Sequence, residues 1–387
     1  MDAITNAPAK QALGNRPPFD RIALVLQGGG ALGAYQGGVY QALAEHGLHP
    51  DWVAGISIGA INASIIAGNR PEQRVEKLRM FWEMVSQAPI GVISLPFRPD
   101  PTSHQLINQA RAMSIALFGA PHFFRPRFPP PYLLPASPPD ELSLYDVSPV
   151  RATLARLIDF DLLNNGRTRL SVGTVNVRTG NFLYFDTATR RIDTDHILAS
   201  GALPPGFSPV QTEGEYYWDG GIVSNTPLDW VLDASERCDT LTFQVDLWNA
   251  LGVVPRTLME ADLREKEIRF SSRTRLSTNR FRHTQRYHRA VAALLKDVQP
   301  DRLDTEHARM LAGEADDKVY NIIQLIYHSK TYEGSSKDYE FSRLTMEEHW
   351  TAGYHDTVRT LRHPEVLERP KSLDGVFTFD VSRQGRL

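Results

Sequence analysis

The stretch Arg21–Gly47, RIALVLQGGGALGAYQGGVYQALAEHG, decides how the rest of the chain is read. Arg21–Gln27 is a short apolar run stopped by three glycines, the pattern of a strand covered on both faces of a parallel sheet. Behind it, Ala34–Glu45 carries Tyr35, Val39 and Leu43 at helical spacing, with Gly47 as the stop. A glycine turn between a buried strand and a helix can serve two chemistries: a cradle for phosphate, or donors for a developing oxyanion. Gly28, Gly30 and Gly33 spell G-x-G-x-x-G in the setting of a dinucleotide fingerprint. That fingerprint also demands an acidic residue at the far end of the second strand. Asp51 has the right distance but begins the second strand, Asp51–Gly55, and Ser57 stands at the far end. A dinucleotide enzyme is therefore the weakest of the readings considered.

Ser57 lies in Gly55-Ile56-Ser57-Ile58-Gly59, a G-x-S-x-G pentapeptide after an apolar strand and before a small-residue helix, Ile58–Ala67. The flanking glycines permit a tight, strained turn that lifts the hydroxyl clear of the backbone, and the helix N-terminus favours negative charge there. A serine N-cap would explain the helix start, but not both glycines and the buried strand. A serine nucleophile needs a base. Asp219, in WDGGIVSNTPL at the end of an aromatic strand, is one candidate; a plain Asp-Gly turn is the structural alternative. His283, His288, His307 and His328 follow Asp219 in the chain order of Ser-Asp-His hydrolases and supply a rival base. In that fold, however, the elbow comes several strands into the sheet, whereas Ser57 follows the second.

The remaining composition narrows the field. The chain has 387 residues, 42% hydrophobic, so it can bury a large core. Lys and Arg total 42 against 45 for Asp and Glu, a net charge of −3, which gives no global basic field for nucleic acid. One cysteine, Cys238, excludes an intrachain disulfide, suits a reducing compartment and reads as a buried thiol. Residues 1–20 lack the apolar core of a signal peptide and read as a flexible leader; Val53–Gly68 is too short and too polar to span a bilayer. The expected localisation is cytoplasmic. No cluster has metal-ligand spacing, and no cofactor is expected.

Residues 21–250 are read as one hydrolase domain, interrupted at 89–149 by a proline-rich insertion that reads as an ordered cap. Helices are poorly tolerated there, yet Phe123, Phe124, Phe128, Tyr132, Leu133 and Leu134 are too apolar for a solvated linker. Residues 251–387 read as mostly helical, with helices expected from Pro255 to about Pro300, over Asp317–Lys330 and over Met346–Leu361. Within them, 260–289 is rich in arginine and aromatics. Packing on the main domain is preferred over peripheral contact with an anionic membrane.

Taken together, these motifs resemble the patatin-like phospholipase family. Gly28-Gly29-Gly30, the elbow Gly55–Gly59 and the turn Asp219-Gly220-Gly221 stand in the family's order, with ASGALPPGFSPV (Ala199–Val210) and Asn225-Thr226-Pro227 in matching places. The resemblance implies a three-layer α/β fold with a mostly parallel central sheet. It implies Ser57 as nucleophile, Asp219 as its partner in a dyad, and the Gly28, Gly29 and Gly30 amides as the oxyanion hole. The expected activity is that of a serine acyl hydrolase on a lipid or other acyl ester, working through an acyl-enzyme. The alternatives are a non-catalytic lipid-binding scaffold and an esterase for short oligoesters of storage polymers. Family members often carry arginine where this chain has Leu32, which removes a cation near the hole. The insertion and the tail resemble a bacterial subgroup with an extra C-terminal domain.

Overall fold

The computed structural model describes residues 16–87, 101–133, 138–271, 274–298, 305–330 and 332–380. In chain order the strands are β1 (Arg21–Leu26), β2 (Trp52–Gly55), β3 (Arg125–Pro126), β4 (Tyr145–Asp146), β5 (Arg169–Asn176), β6 (Phe182–Asp186), β7 (Val210–Thr212), β8 (Glu215–Asp219), β9 (Thr240–Asp246), β10 (Tyr320–Ile326) and β11 (Val376–Asp380). β1 sits inside the main sheet because its side chains are apolar on both faces. Ile22, Leu24 and Leu26 point into one core and Ala23 and Val25 into the other, the period-two division expected of a covered parallel strand.

The sheet runs β11-β10-β9-β1-β2-β5-β8-β7, with β6 also paired to β5. From β11 to β5 every neighbouring pair is parallel; β6, β7 and β8 join antiparallel. The larger core lies against helices α1 (Ala34–Glu45), α2 (Ile58–Ala67) and α3 (Pro71–Val85). On the opposite face a smaller one gathers Trp52, Ala54, Leu228, Val231, Leu232 and Ile322. The three-layer α/β expectation is met.

Three features differ from the sequence reading. Asp317–Lys330, expected as a helix, contains strand β10. Its polar Asn321 and Gln324, three apart, imitate a helix's wet face, yet both are buried, and Asn321 Nδ2 donates to the carbonyls of Val366 and Glu368 at 3.0 and 2.8 Å. The proline-rich insertion holds a helix, Pro101–Phe118, because Pro101 opens it and no other proline follows until Pro121. Finally, β10 and β11 extend the main sheet, so residue 250 marks no break in it.

The proline-rich insertion is anchored by its aromatics: Phe124 is buried against Tyr145, Phe207 and Phe341, and Phe123 meets Phe81 and Phe341. Phe128 and Tyr132 are exposed. Residues 1–15 of the expected leader, residue 88, 89–100 and 134–137 of the insertion, with Leu134 among them, and 381–387 lie outside the described residues. Among the described residues of 260–289, Phe281 meets Tyr320 edge-on on the sheet's far face and Arg282 donates to Thr378 Oγ1 at 3.1 Å, while Phe270 packs on the larger core against Trp248. Among the described residues no helix is long and apolar enough to cross a membrane.

Candidate active site

Ser57 follows the end of β2 and precedes α2, at φ +57° and ψ −125°, a backbone state that costs a non-glycine residue about 1–3 kcal/mol. The flanking glycines make the turn possible by close approach. A Cβ on Gly55 would stand 2.3 Å from the Gly59 carbonyl oxygen, and one on Gly59 would stand 2.3 Å from that of Leu26. The Ser57 N–H donates to Ser200 Oγ at 2.9 Å, and Ser200 Oγ donates to the Gly173 carbonyl at 2.7 Å. Ser200 ends the helix Thr194–Ser200 and escaped the sequence reading; the small-residue stretch Ala199–Ala202 was its one visible trace.

Strand registry brings the carboxylate to the serine. β2 leaves the edge of β5 at Gly55, opposite Val172. β6 occupies the other edge, so β8 continues antiparallel on the edge that β2 vacates and ends with Asp219 opposite Thr174, two rungs on. Two strands thus meet end to end, one delivering the elbow and the other the acid. Asp219 is 3% exposed; its N–H donates to the Ala202 carbonyl at 3.1 Å, and its Oδ1 accepts from Gly221 N–H at 2.7 Å. The Ser57 side chain sits close enough to this carboxylate to favour its charged form. Burial pushes its pKa up to about 6, against the opposing pull of the Ser57 hydroxyl and the Gly221 N–H. Gly220 and Gly221 open the short turn Gly220–Ile222 that carries the chain away.

The glycine loop abuts this pair, since a Cβ on Gly28 would stand 3.0 Å from Ser57 Cβ. Its three amides are not equivalent. Gly28 N–H donates to the Asn225 carbonyl at 3.2 Å, while Gly28 C=O accepts from Asn225 Nδ2 at 3.1 Å and Trp248 Nε1 at 3.0 Å. Among the described residues no protein acceptor takes the Gly29 or Gly30 N–H. Asn225 and Trp248, neither singled out as a loop support from the sequence, thus fix Gly28 as scaffold. Leu32 is fully buried in the core, so no charge stands at that place.

Among the described residues no histidine is bonded to Ser57 or Asp219. His288 pairs with Glu314, His328 meets Asn249 at 3.0 Å, His283 lies against Tyr287, and His307 sits on the helix Glu306–Glu314. Nor do the described residues contain a group of three or more His, Cys, Asp or Glu side chains placed to hold a metal.

Comparison with known proteins adds the family. A model described as patatin phospholipase matches residues 268–373. Curated relatives include patatin-like phospholipase domain-containing protein ZK370.4 of Caenorhabditis elegans, 28% identical over 218 residues, which are 56% of this chain and 13% of that protein. Another is patatin-like phospholipase domain-containing protein 7 of Rattus norvegicus, 43% identical over 61 residues, or 16% of this chain and 4% of that one. The chain therefore spans only a small part of the curated relatives it matches. Among solved structures, VipD from Legionella pneumophila aligns over 94% of this chain and 72% of its own, at 16% identity and a TM-score of 0.38, which carries no weight. The decisive match is the family model described as patatin-like phospholipase, which covers residues 24–232, more than half of the chain and all three candidate motifs: this protein belongs to the patatin-like phospholipase family.

Proposed function

We propose that this chain is a serine acyl hydrolase of lipid esters, with Ser57 as nucleophile, Asp219 as its base, and the Gly29 and Gly30 amides as the oxyanion hole. The observation that carries it is the convergence of the strained Ser57 elbow and the buried Asp219 carboxylate where β2 and β8 meet end to end on β5, beside the glycine loop. Above about pH 6 that carboxylate is ionised, and its raised pKa makes it a stronger base than an exposed aspartate. Ser57 Oγ attacks the ester carbonyl carbon while its proton passes to Asp219. The carbonyl oxygen becomes an oxyanion facing Gly29, Gly30 and the N-terminus of α2. The C–O bond breaks, Asp219 returns the proton to the departing alcohol, and the acyl group stays on Ser57. Water then gives a proton to Asp219 and attacks the acyl carbon; collapse restores the Ser57 hydroxyl and releases the acid. Each hole donor is worth about 2.7–4 kcal/mol in such a step. The buried Leu32 supplies no charge, so backbone donors carry the stabilisation.

Intact-protein mass after treatment with a fluorophosphonate tests this reading. One adduct on the wild type, absent from a folded Ser57→Ala variant that has lost on the order of 10⁴-fold or more in ester turnover, supports it. A folded wild type that takes no adduct and turns over no ester, lipid or oligoester, overturns it in favour of the non-catalytic scaffold.

A further inference from the structure

Ala31, one step beyond the glycines, is held at both of its peptide groups by residues more than 300 positions away. Its N–H donates to the Asp338 carbonyl at 2.7 Å, and its C=O faces His349 Nδ1 at 3.4 Å. The Asp338 carbonyl also presses on Gly30: a Cβ there would stand 2.1 Å from that oxygen, and the residue has φ +54°. Asp338 is anchored in turn by Lys266 Nζ, 2.6 Å from its carboxylate and 3.0 Å from the Ser335 carbonyl.

Behind this contact lies a buried polar chain. His349, 1% exposed, turns Nε2 toward Glu333 Oε1 at 3.2 Å, and Tyr327 OH donates to the same oxygen at 2.5 Å. Burial would raise the Glu333 pKa, but the His349 bond and charge, the Tyr327 bond and nearby Lys337 hold it below the usual carboxylate range. With an acceptor at each ring nitrogen, His349 is fixed in one orientation between carboxylate and loop. The acyl-transfer chemistry uses none of these groups, and all but Lys266 come from Tyr327–His349, within the second family match.

We propose that Glu333, Asp338 and His349 are positioning residues that hold the Gly29 and Gly30 donors on the oxyanion, so that the C-terminal segment completes the active site. The proposal rests on the hydrolase reading above. It is tested on the full chain with His349→Gln and Glu333→Gln, and with Lys266→Met, which loosens the Asp338 anchor without opening the core. Hydrolysis of p-nitrophenyl butyrate is measured per serine titrated by fluorophosphonate, beside inhibition by an alkyl trifluoromethyl ketone, whose serine adduct carries an oxyanion. The expected result for His349→Gln is a kcat lower by between about tenfold and 10²-fold, as for a small misplacement of a reacting group, with KM little changed. Ketone affinity should fall in proportion to kcat, and Lys266→Met should show the same proportionality at smaller amplitude. If the buried variants do not fold, Lys266→Met decides. Folded variants with wild-type kcat and ketone affinity overturn the clamp alone, as does a fall in melting temperature with both constants unmoved. A wild type with neither adduct nor turnover removes the hydrolase reading, and the clamp with it.

Discussion

The elbow at Ser57 and the glycine loop at Gly28–Gly30 are both backbone turns against the same side chain, yet they are supported in opposite ways. The elbow is built mostly from its own residues: Gly55 and Gly59 make room for each other, the Leu26 carbonyl of the adjoining strand closes the space, and a single distant side chain, Ser200, takes the Ser57 N–H. The loop is held from afar, by Asn225 and Trp248 at Gly28 and by Asp338 and His349 at Ala31. Strain that a turn stores within five residues can be written as a short motif. Orientation of donors inside a loop has to be imposed by the surrounding fold.

The sharpest way to break the comparison is to remove what both turns serve. Asp219→Asn should leave the elbow and loop in place and lower kcat on the order of 10²–10⁴-fold, read in an ester assay against an unchanged fold by circular dichroism. Next in size, Gly59→Ala drives a Cβ against the Leu26 backbone and should cost about 3 kcal/mol or abolish folding, measured by urea unfolding. The same wild-type Asp219 makes a pH prediction of opposite sign to most carboxylates. Its folded pKa, about 6, lies above its unfolded value, so its contribution to stability is complete below about pH 4 and is lost as pH rises through about 6. Asp219→Asn should therefore stabilise the protein at pH 8 by up to about 3 kcal/mol, and by nothing near pH 4, in matched melts. In the wild type, kcat/KM should fall on the acid side with an apparent pKa near 6. The smallest effect belongs to the loop: Asn225→Ala removes donors to the Gly28 and Phe270 carbonyls and should cost about 1–3 kcal/mol of stability. Because that side chain touches the loop and not the elbow, fluorophosphonate labelling of Ser57 should slow while the elbow glycines stay packed.

The same contrast explains how far the sequence could be read. β1, β2, the elbow and the Asp219 turn were legible because each is a local pattern, an apolar run closed by glycine or aspartate. The pairing of Ser57 with Asp219 was reached only through resemblance, since the end-to-end meeting of β2 and β8 on β5 is a fact of registry. Gly28's engagement by Asn225, the Ser200 bond to Ser57 N–H and the Asp338 contact were invisible, each depending on chain folded across long separations. The helix Pro101–Phe118 was hidden by averaging over its proline-rich neighbours, and β10 by two polar residues whose partners lie in other elements.

The position of β9 has a consequence for synthesis. It pairs with β1 on one side and with β10 on the other, and every one of its residues is buried. A ribosome adding about 5–20 residues per second needs roughly 4–15 s to pass from residue 246 to residue 320. Throughout that interval Leu241–Val245 presents an open strand edge with Leu241, Phe243 and Val245 on one face, the kind that recruits another chain. A fragment cut at residue 250 is therefore expected to aggregate, and the emerging chain to call on chaperones until β10 seals the edge.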